Sequence, residues 1–332
     1  MSVLILVVGF LPVLLFLAAL ILMDSYKLVS RRSVALAIGA GLLAALVSLF
    51  LNRILLDHGV DPTVLRRYVG PLVEESVKAI YIVYLIRSAH VGFLVDAAIL
   101  GFAVGTGFAV VENVYYASVV RDLGPGLWLV RGLGTAVMHG SATAIVAILS
   151  KSLADRRTST SLAVVLPGLV LAFAAHSLYN HLVLNPFVST ALLLIAMPLL
   201  VVLVFERSGR ATRDWLGVSL DTDVELLDSI ERGRVEDTPA GAYLSTLSRL
   251  PGPVVADMLC YLRIHLELSL RAKGILIARA AGVDLPIDDE VRADFRELRF
   301  LERSIGKTGK MAILPFLRSS SRDLWQLYVL DE

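Results

Sequence analysis

Residues 71–87 read PLVEESVKAIYIVYLIR. The stretch is apolar enough to cross most of a bilayer at ~1.5 Å per residue, yet Glu74 and Glu75 lie one turn inside it and Lys78 a turn further on. A charge at the centre of the hydrocarbon costs roughly 2.5 kcal/mol or more on insertion scales, so such side chains face a bundle interior and are functional candidates by default. The same anomaly recurs along the chain. Glu112 lies late in the next apolar stretch, and His139 and His176 lie inside the two after that.

Composition agrees with a membrane protein. Hydrophobic residues make up 56% of the chain, which places it among polytopic membrane proteins. The net charge of +1 gives no reason to expect a nucleic-acid partner. The lone Cys260 permits no intramolecular disulfide and no cysteine zinc site; it reads as a small core hydrophobe. Charge is uneven. Of the Asp, Glu, Lys and Arg residues, 22 fall in 1–205 and 39 in 206–332. The expected fold is therefore all-α: a membrane-embedded helix bundle over 1–205 and a soluble helical domain over 206–332.

Seven spans fit the first part, at roughly 3–23, 34–55, 71–87, 93–119, 127–150, 160–184 and 187–205, each near the ~20 residues that a bilayer requires. The first lacks a basic leader and is too long for a signal peptide, so it reads as a retained helix. Lys27, Arg31, Arg32, Arg87, Lys151, Arg156 and Arg157, with Arg207, Arg210 and Arg213 of the tail, outnumber Arg53, Arg66, Arg67 and Arg121 on the other side, even with Arg131 added to them. The positive-inside rule then puts the N-terminus outside and the C-terminal domain in the cytoplasm of a multi-pass cell-membrane protein.

The spans also give a depth test. Glu74 and Glu75 lie one turn into the third span and Glu112 near the far end of the oppositely directed fourth. His139 is about three turns into the fifth, and His176 and Asn180 are in the last turns of the sixth. All fall in the half of the membrane predicted to be outer, as one site would require. Each has a structural reading too. Glu74 and Lys78, four apart, could form an internal ion pair on one helix face. Glu112 could be an acid satisfied by Asn113 or Tyr116, and His139 could tie helices together between Thr135 and Thr143. His176 and Asn180 share a face. Asp96, Arg87 and Arg131, near span ends, read as interfacial or supporting residues, and His181 as a wet interfacial histidine. Gly101, Gly105 and Ala109, with Gly107 beside them, and Gly132, Ala136, Gly140 and Ala144 form rows of small residues that let helices approach closely.

A carboxylate beside an imidazole can deprotonate a water that attacks a carbonyl. A second imidazole and an amide can stabilise the oxyanion. Hydrolysis of a peptide bond needs both. Two His and two or three Glu could instead hold zinc, with Glu75, His139 and His176 the set expected if any metal binds, although no HExxH spacing is present.

Glu74-Glu75-x-x-Lys78, Phe108-x-x-x-Glu112-Asn113, Met138-His139 and His176-x-x-x-Asn180 together resemble the motifs of the PrsW family of intramembrane proteases. That family is grouped with the CAAX prenyl endopeptidases and bacteriocin-processing enzymes in a glutamate-dependent superfamily. The resemblance covers about 60–185 and extends plausibly over 1–205; Ala97 stands where the family's pattern has Gly. It implies that Glu74, Glu75, Glu112, His139, His176 and Asn180 are catalytic, with Lys78 and Asn113 supporting, and that no metal cofactor is used, zinc being the alternative. It further implies an outer-side cut in a single-span membrane protein such as an anti-sigma factor. A proton-coupled transporter built on a Glu/His relay and a catalytically inactive receptor or scaffold are the competing readings. No clear inverted repeat supports transport.

The tail has no counterpart in that resemblance. A polar linker at roughly 207–221 is expected, then helices at about 223–232, 239–249, 253–281, 287–304 and 310–329, broken at Pro251-Gly252, Gly282 and Gly306. The helix at 253–281, apolar on more than one face, reads as the centre of a small bundle or the seam of a homo-oligomer. The intermixed charges read as a solvated surface.

Overall fold

The computed structural model describes residues 3–119, 124–157, 161–247, 251–317, 325–327 and 330. The order is α1 (Val3–Met23), α2 (Arg31–Asp57), α3 (Pro62–Val64), α4 (Gly70–Arg87), α5 (Leu94–Val119), α6 (Pro125–Leu129), α7 (Ala136–Arg157), α8 (Leu166–Asn180), α9 (Pro186–Glu231), α10 (Pro239–Thr246), α11 (Gly252–Ala280) and α12 (Asp289–Leu317). Two π-helical turns, Leu65–Val69 and Val130–Thr135, lead into α4 and α7. No strand occurs among the described residues.

Among the described residues, five helices are long and apolar enough to cross a membrane: Arg31–Asp57, Leu94–Val119, Pro125–Arg156, Leu162–Asn180 and Pro186–Glu231; Val7–Met23 is a shorter apolar helix. The helix α4 fails that criterion because its 18 residues carry Glu74, Glu75, Lys78 and Arg87. The residues of the site are what spoil its hydropathy.

The chain divides into two compact units, Met1–Asp24 with Leu28–Ser208, and Ser25–Lys27 with Gly209–Glu332. In the first, α5 lies between α2 and α7, and α4 and α8 pack on α7. Glycines set these distances. A Cβ on Gly105 would lie 2.2 Å from the carbonyl oxygen of His139, and one on Gly107, on another face of α5, 2.1 Å from that of Ile38 in α2. The small-residue rows are thus packing surfaces, and Gly105 holds α5 against the backbone that carries His139.

The π-turn before α4 follows from Gly70-Pro71. The amide of Gly70 donates to Leu65 O instead of Arg66 O, and Pro71 has no N–H to give Arg67 O. Two carbonyls are left without their helical partners, and α8 supplies replacements. Asn180 Nδ2 donates to Arg66 O at 3.0 Å and Ser177 Oγ to Arg67 O at 2.6 Å. Near the other end of the bundle, Asp96, the third residue of α5, reaches back so that its Oδ2 accepts the amides of Gly92 and Phe93 at 2.8 and 3.1 Å, as the acid of a capping box does.

The polar linker expected at 207–221 is helix. It continues α9 through to Glu231. The composition changes here without breaking the helix, because Gly209 and Gly217 alone do not interrupt a backbone otherwise rich in helix formers. In the second unit α11 is the core helix, with Met258, Leu262, Ile264, Leu268 and Leu276 at most 1% exposed, and α12 packs on it. Lys273, fully buried, donates to Ser219 O (3.1 Å) and Ser219 Oγ (2.6 Å) and pairs with Asp223. Cys260 is exposed on α11, contrary to the core position expected, because that helix turns only part of its circumference inward. Gly306, at φ 65°, interrupts α12 where a break was expected. Of the helix expected at 310–329, residues 318–324 and 328–329 lie outside the described residues, as do Arg121 and the loop positions 120–123.

Candidate active site

Four helices, α4, α5, α7 and α8, bring the acids and imidazoles together. Glu75 is fully buried. Its Oε1 accepts from Lys78 Nζ at 2.7 Å and from His176 Nδ1 at 2.8 Å. Lys78 therefore pairs with Glu75 (i, i+3) and not with Glu74 as the i, i+4 spacing suggested. Both spacings share a helix face, and the burial of Lys78 on the side of His139 selects Glu75. Lys78 Nζ also lies 3.3 Å from His139 Nδ1. An ammonium only donates, so Nδ1 is the acceptor and the ring proton sits on Nε2, 3.0 Å from Glu112 Oε2. Likewise, donation from His176 Nδ1 to Glu75 leaves Nε2 as a free lone pair, 3.8 Å from Glu74 Oε2. The two imidazoles meet edge to face with centroids 4.8 Å apart.

Unlike Glu75, and like Glu112, Glu74 is accessible. It joins Asn52, Arg66, Glu112, His176 and Asn180 in lining a cavity of about 280 Å³, and Asn52 Nδ2 donates to its Oε1 at 3.3 Å. Glu112 is held by Arg131, whose Nη2 lies at 3.2 Å. The Arg131 guanidinium stacks over Tyr116 at 3.7 Å and donates from Nε to Asn113 Oδ1 at 3.1 Å; Asn113 Nδ2 in turn donates to Gly9 O at 2.7 Å. Asn113 therefore braces Arg131 and α1 and does not satisfy Glu112. Arg131, expected to be interfacial or supporting, takes the supporting place in this cluster, from the π-turn at 130–135. Asn52 was missed altogether. The signal was there, in Ser48 and Asn52 placed i and i+4 in an otherwise apolar stretch of α2. Thr143 Oγ1 bonds back to His139 O at 3.0 Å, and His181 Nδ1 lies 2.6 Å from Ser177 O.

Glu74, His139 and His176 offer ligand atoms within 4.8 Å of one another. A metal would therefore find Glu74 in the set where Glu75 was expected, since Glu75 is turned to Lys78 and His176 Nδ1. The spacing fits a cation, provided His139 releases Lys78 or Glu112.

A family model described as PrsW family intramembrane metalloprotease matches residues 29–205. The chain belongs to the PrsW family. No curated protein and no solved structure matches it. As a PrsW-family member with helices long and apolar enough to cross a bilayer, it is an intramembrane protease of the membrane.

One amide hydrogen of Asn180 is committed to Arg66 O, and the amide has a second. Asn180→Ala separates the two uses. A purely structural Asn180 predicts a lower melting temperature in detergent, with normal turnover per folded molecule. An oxyanion donor predicts a roughly 10²–10³-fold fall in turnover with substrate association retained.

Proposed function

We propose that this PrsW-family protease hydrolyses a peptide bond of a single-span membrane protein, of the anti-sigma-factor type, near the outer side of the bilayer, using a water activated by Glu74 and His176. The observation that carries this reading is the line Glu75–His176–Glu74 ending on the cavity. The buried Glu75 orients the ring through Nδ1, and the accessible Glu74 faces its free Nε2. A water between Nε2 and Glu74 loses its proton to the carboxylate as it attacks the scissile carbonyl. The tetrahedral oxyanion is met by hydrogen-bond donors of the cavity wall, with Asn180 the candidate, and Glu74 returns the proton to the leaving amine. Glu112 belongs to the cavity wall, and His139 and Arg131 hold it in place. In this reading a cofactor is not needed.

The second reading, supported by the ligand spacing of Glu74, His139 and His176, has a zinc ion held by those three. Zinc would supply Lewis-acid polarisation and a more acidic water. Chelator-treated, dialysed protease in detergent is expected to keep its activity and to contain no stoichiometric zinc. Activity lost to chelator and restored by zinc would establish the metal reading.

The proposed frame is seven spans over 1–205 with a soluble cytoplasmic domain over 206–332, through which the chain could self-associate. Co-expression with candidate single-span membrane proteins, followed by sequencing of the released fragment, tests the reaction; a cut in the inner half of the span would overturn the outer-side site. A cysteine placed at Gly124 in a Cys260→Ser background should react with impermeant thiol reagents outside intact cells, while a reporter after Glu332 should be reachable only from the cytoplasm. The opposite pattern would invert the orientation.

A further inference from the structure

The intermixed charges of the C-terminal sequence are sorted in α12. Val291, Leu298, Leu301 and Ile305 are buried and turn one side of this helix toward α11. Arg292, Arg296, Arg299 and Arg303 recur at i, i+4, i+7 and i+11, which at 100° per residue confines them to a stripe about 60° wide and ~17 Å long. All four are exposed, as is Lys307 just beyond the break at Gly306. Among the described residues from 292 to 307 the acids are Glu297, exposed, and Asp294 and Glu302, partly exposed, with Glu302 paired to Lys310; Arg292 also reaches Asp289, at 2.7 Å. Phe300, 63% exposed, stands at the edge of the stripe.

We propose that this face of α12 is a docking surface for an anionic lipid headgroup layer. Charge complementarity carries it. Guanidinium groups spaced along one helix face match a plane of phosphates, whose oxygens each fork can bind. An exposed aromatic ring beside them suits the headgroup level, where amphipathic and aromatic groups concentrate. The helix is committed on its apolar side to α11, so it docks peripherally, by charge, without inserting its length. Because the same chain is anchored in a bilayer, the surface is present at high effective concentration, and a weak electrostatic contact is enough.

The test uses the full chain in nanodiscs of phosphatidylcholine alone or with a minority of phosphatidylglycerol. An environment-sensitive dye is attached at Ala293→Cys in a Cys260→Ser background and read by quenching from headgroup-level spin-labelled lipid. Quenching is expected only in the phosphatidylglycerol discs and should vanish at about 0.5 M salt, where the screening length falls to a few ångströms. The triple variant Arg296→Gln, Arg299→Gln, Arg303→Gln should shift the docked-to-free ratio on the order of 100-fold toward free, at about a factor of five per basic residue. Glu297→Gln should shift it the other way. Quenching that ignores phosphatidylglycerol, salt and these substitutions would overturn the proposal, as would none in anionic discs. Salt-sensitive binding of an acidic protein or a nucleic acid without lipid quenching would overturn it too. The salt titration on unsubstituted α12 decides the matter even if the triple variant fails to fold.

Discussion

Glu74→Gln is expected to fold, insert and bind substrate, and to lose roughly 10²–10⁴-fold in turnover. The amide keeps the shape of the side chain and can still meet Asn52, whose Nδ2 bonds Glu74 Oε1, by presenting its carbonyl oxygen. What it lacks is the affinity for a proton that general-base catalysis requires, and the loss expected is the usual worth of that function. Its melting temperature should be close to that of the unsubstituted protein, because Glu74 is in no buried ion pair with a cation. Glu75→Gln should behave differently. It too should be inactive, but it should also be destabilised, since it leaves Lys78 buried without its counterion. Undiminished cleavage by Glu74→Gln per folded molecule would refute the proposed base, and undiminished cleavage by both would refute the glutamate mechanism.

Lys78→Met should be the most disruptive single change at the site. Both partners of the Lys78–Glu75 pair have fully buried side chains. Removing one partner of a buried pair strands the other, at about 3–5 kcal/mol. It also removes the donor that holds His139 Nδ1 as an acceptor, so the imidazole can turn its proton away from Glu112. The check is a double-mutant cycle. Lys78→Met combined with Glu75→Gln should recover much of the melting temperature lost in either single variant, while activity stays absent because His176 no longer has a carboxylate at Nδ1. Additive losses of stability in the double variant would show that the two side chains are not coupled.

Much of the arrangement was legible in the sequence, for identifiable reasons. An acid or imidazole inside an apolar stretch is visible without any structure, and the depths of Glu74, Glu75, Glu112, His139 and His176 in successive spans already brought them to one level. The family resemblance added the supporting roles of Lys78 and Asn113. Spacing could not choose between Glu74 and Glu75 as the partner of Lys78, because i, i+3 and i, i+4 both share a face and only the neighbouring helix decides. Nor could it choose between the interfacial and the supporting reading of Arg131, since an arginine near a span end can reach for headgroups or turn inward, and only the structure shows it at Glu112. The continuous helix α9 was hidden by a composition change taken as a break in the chain. Cys260 was misplaced because residue type was weighed without its position on the circumference of α11.

The widened turn at 65–69 has a consequence for how mutations here should be scored. Deletion of Leu65, the first residue of the turn, would leave charge and every motif residue untouched, and a substitution-based view would rank it as mild. Yet rewinding those residues as ordinary α-helix would turn everything upstream by about 100° relative to α4. Arg66 O, now held by Asn180, would regain a helical donor in Gly70, while Arg67 O, held by Ser177, would be carried away from α8 with nothing from Pro71 to replace the bond. The seating of α8, and with it the position of the His176 ring, therefore depends on the number of residues between Asp61 and Glu74 as well as on their identities, and insertion–deletion scanning would reveal a sensitivity there that alanine scanning would pass over.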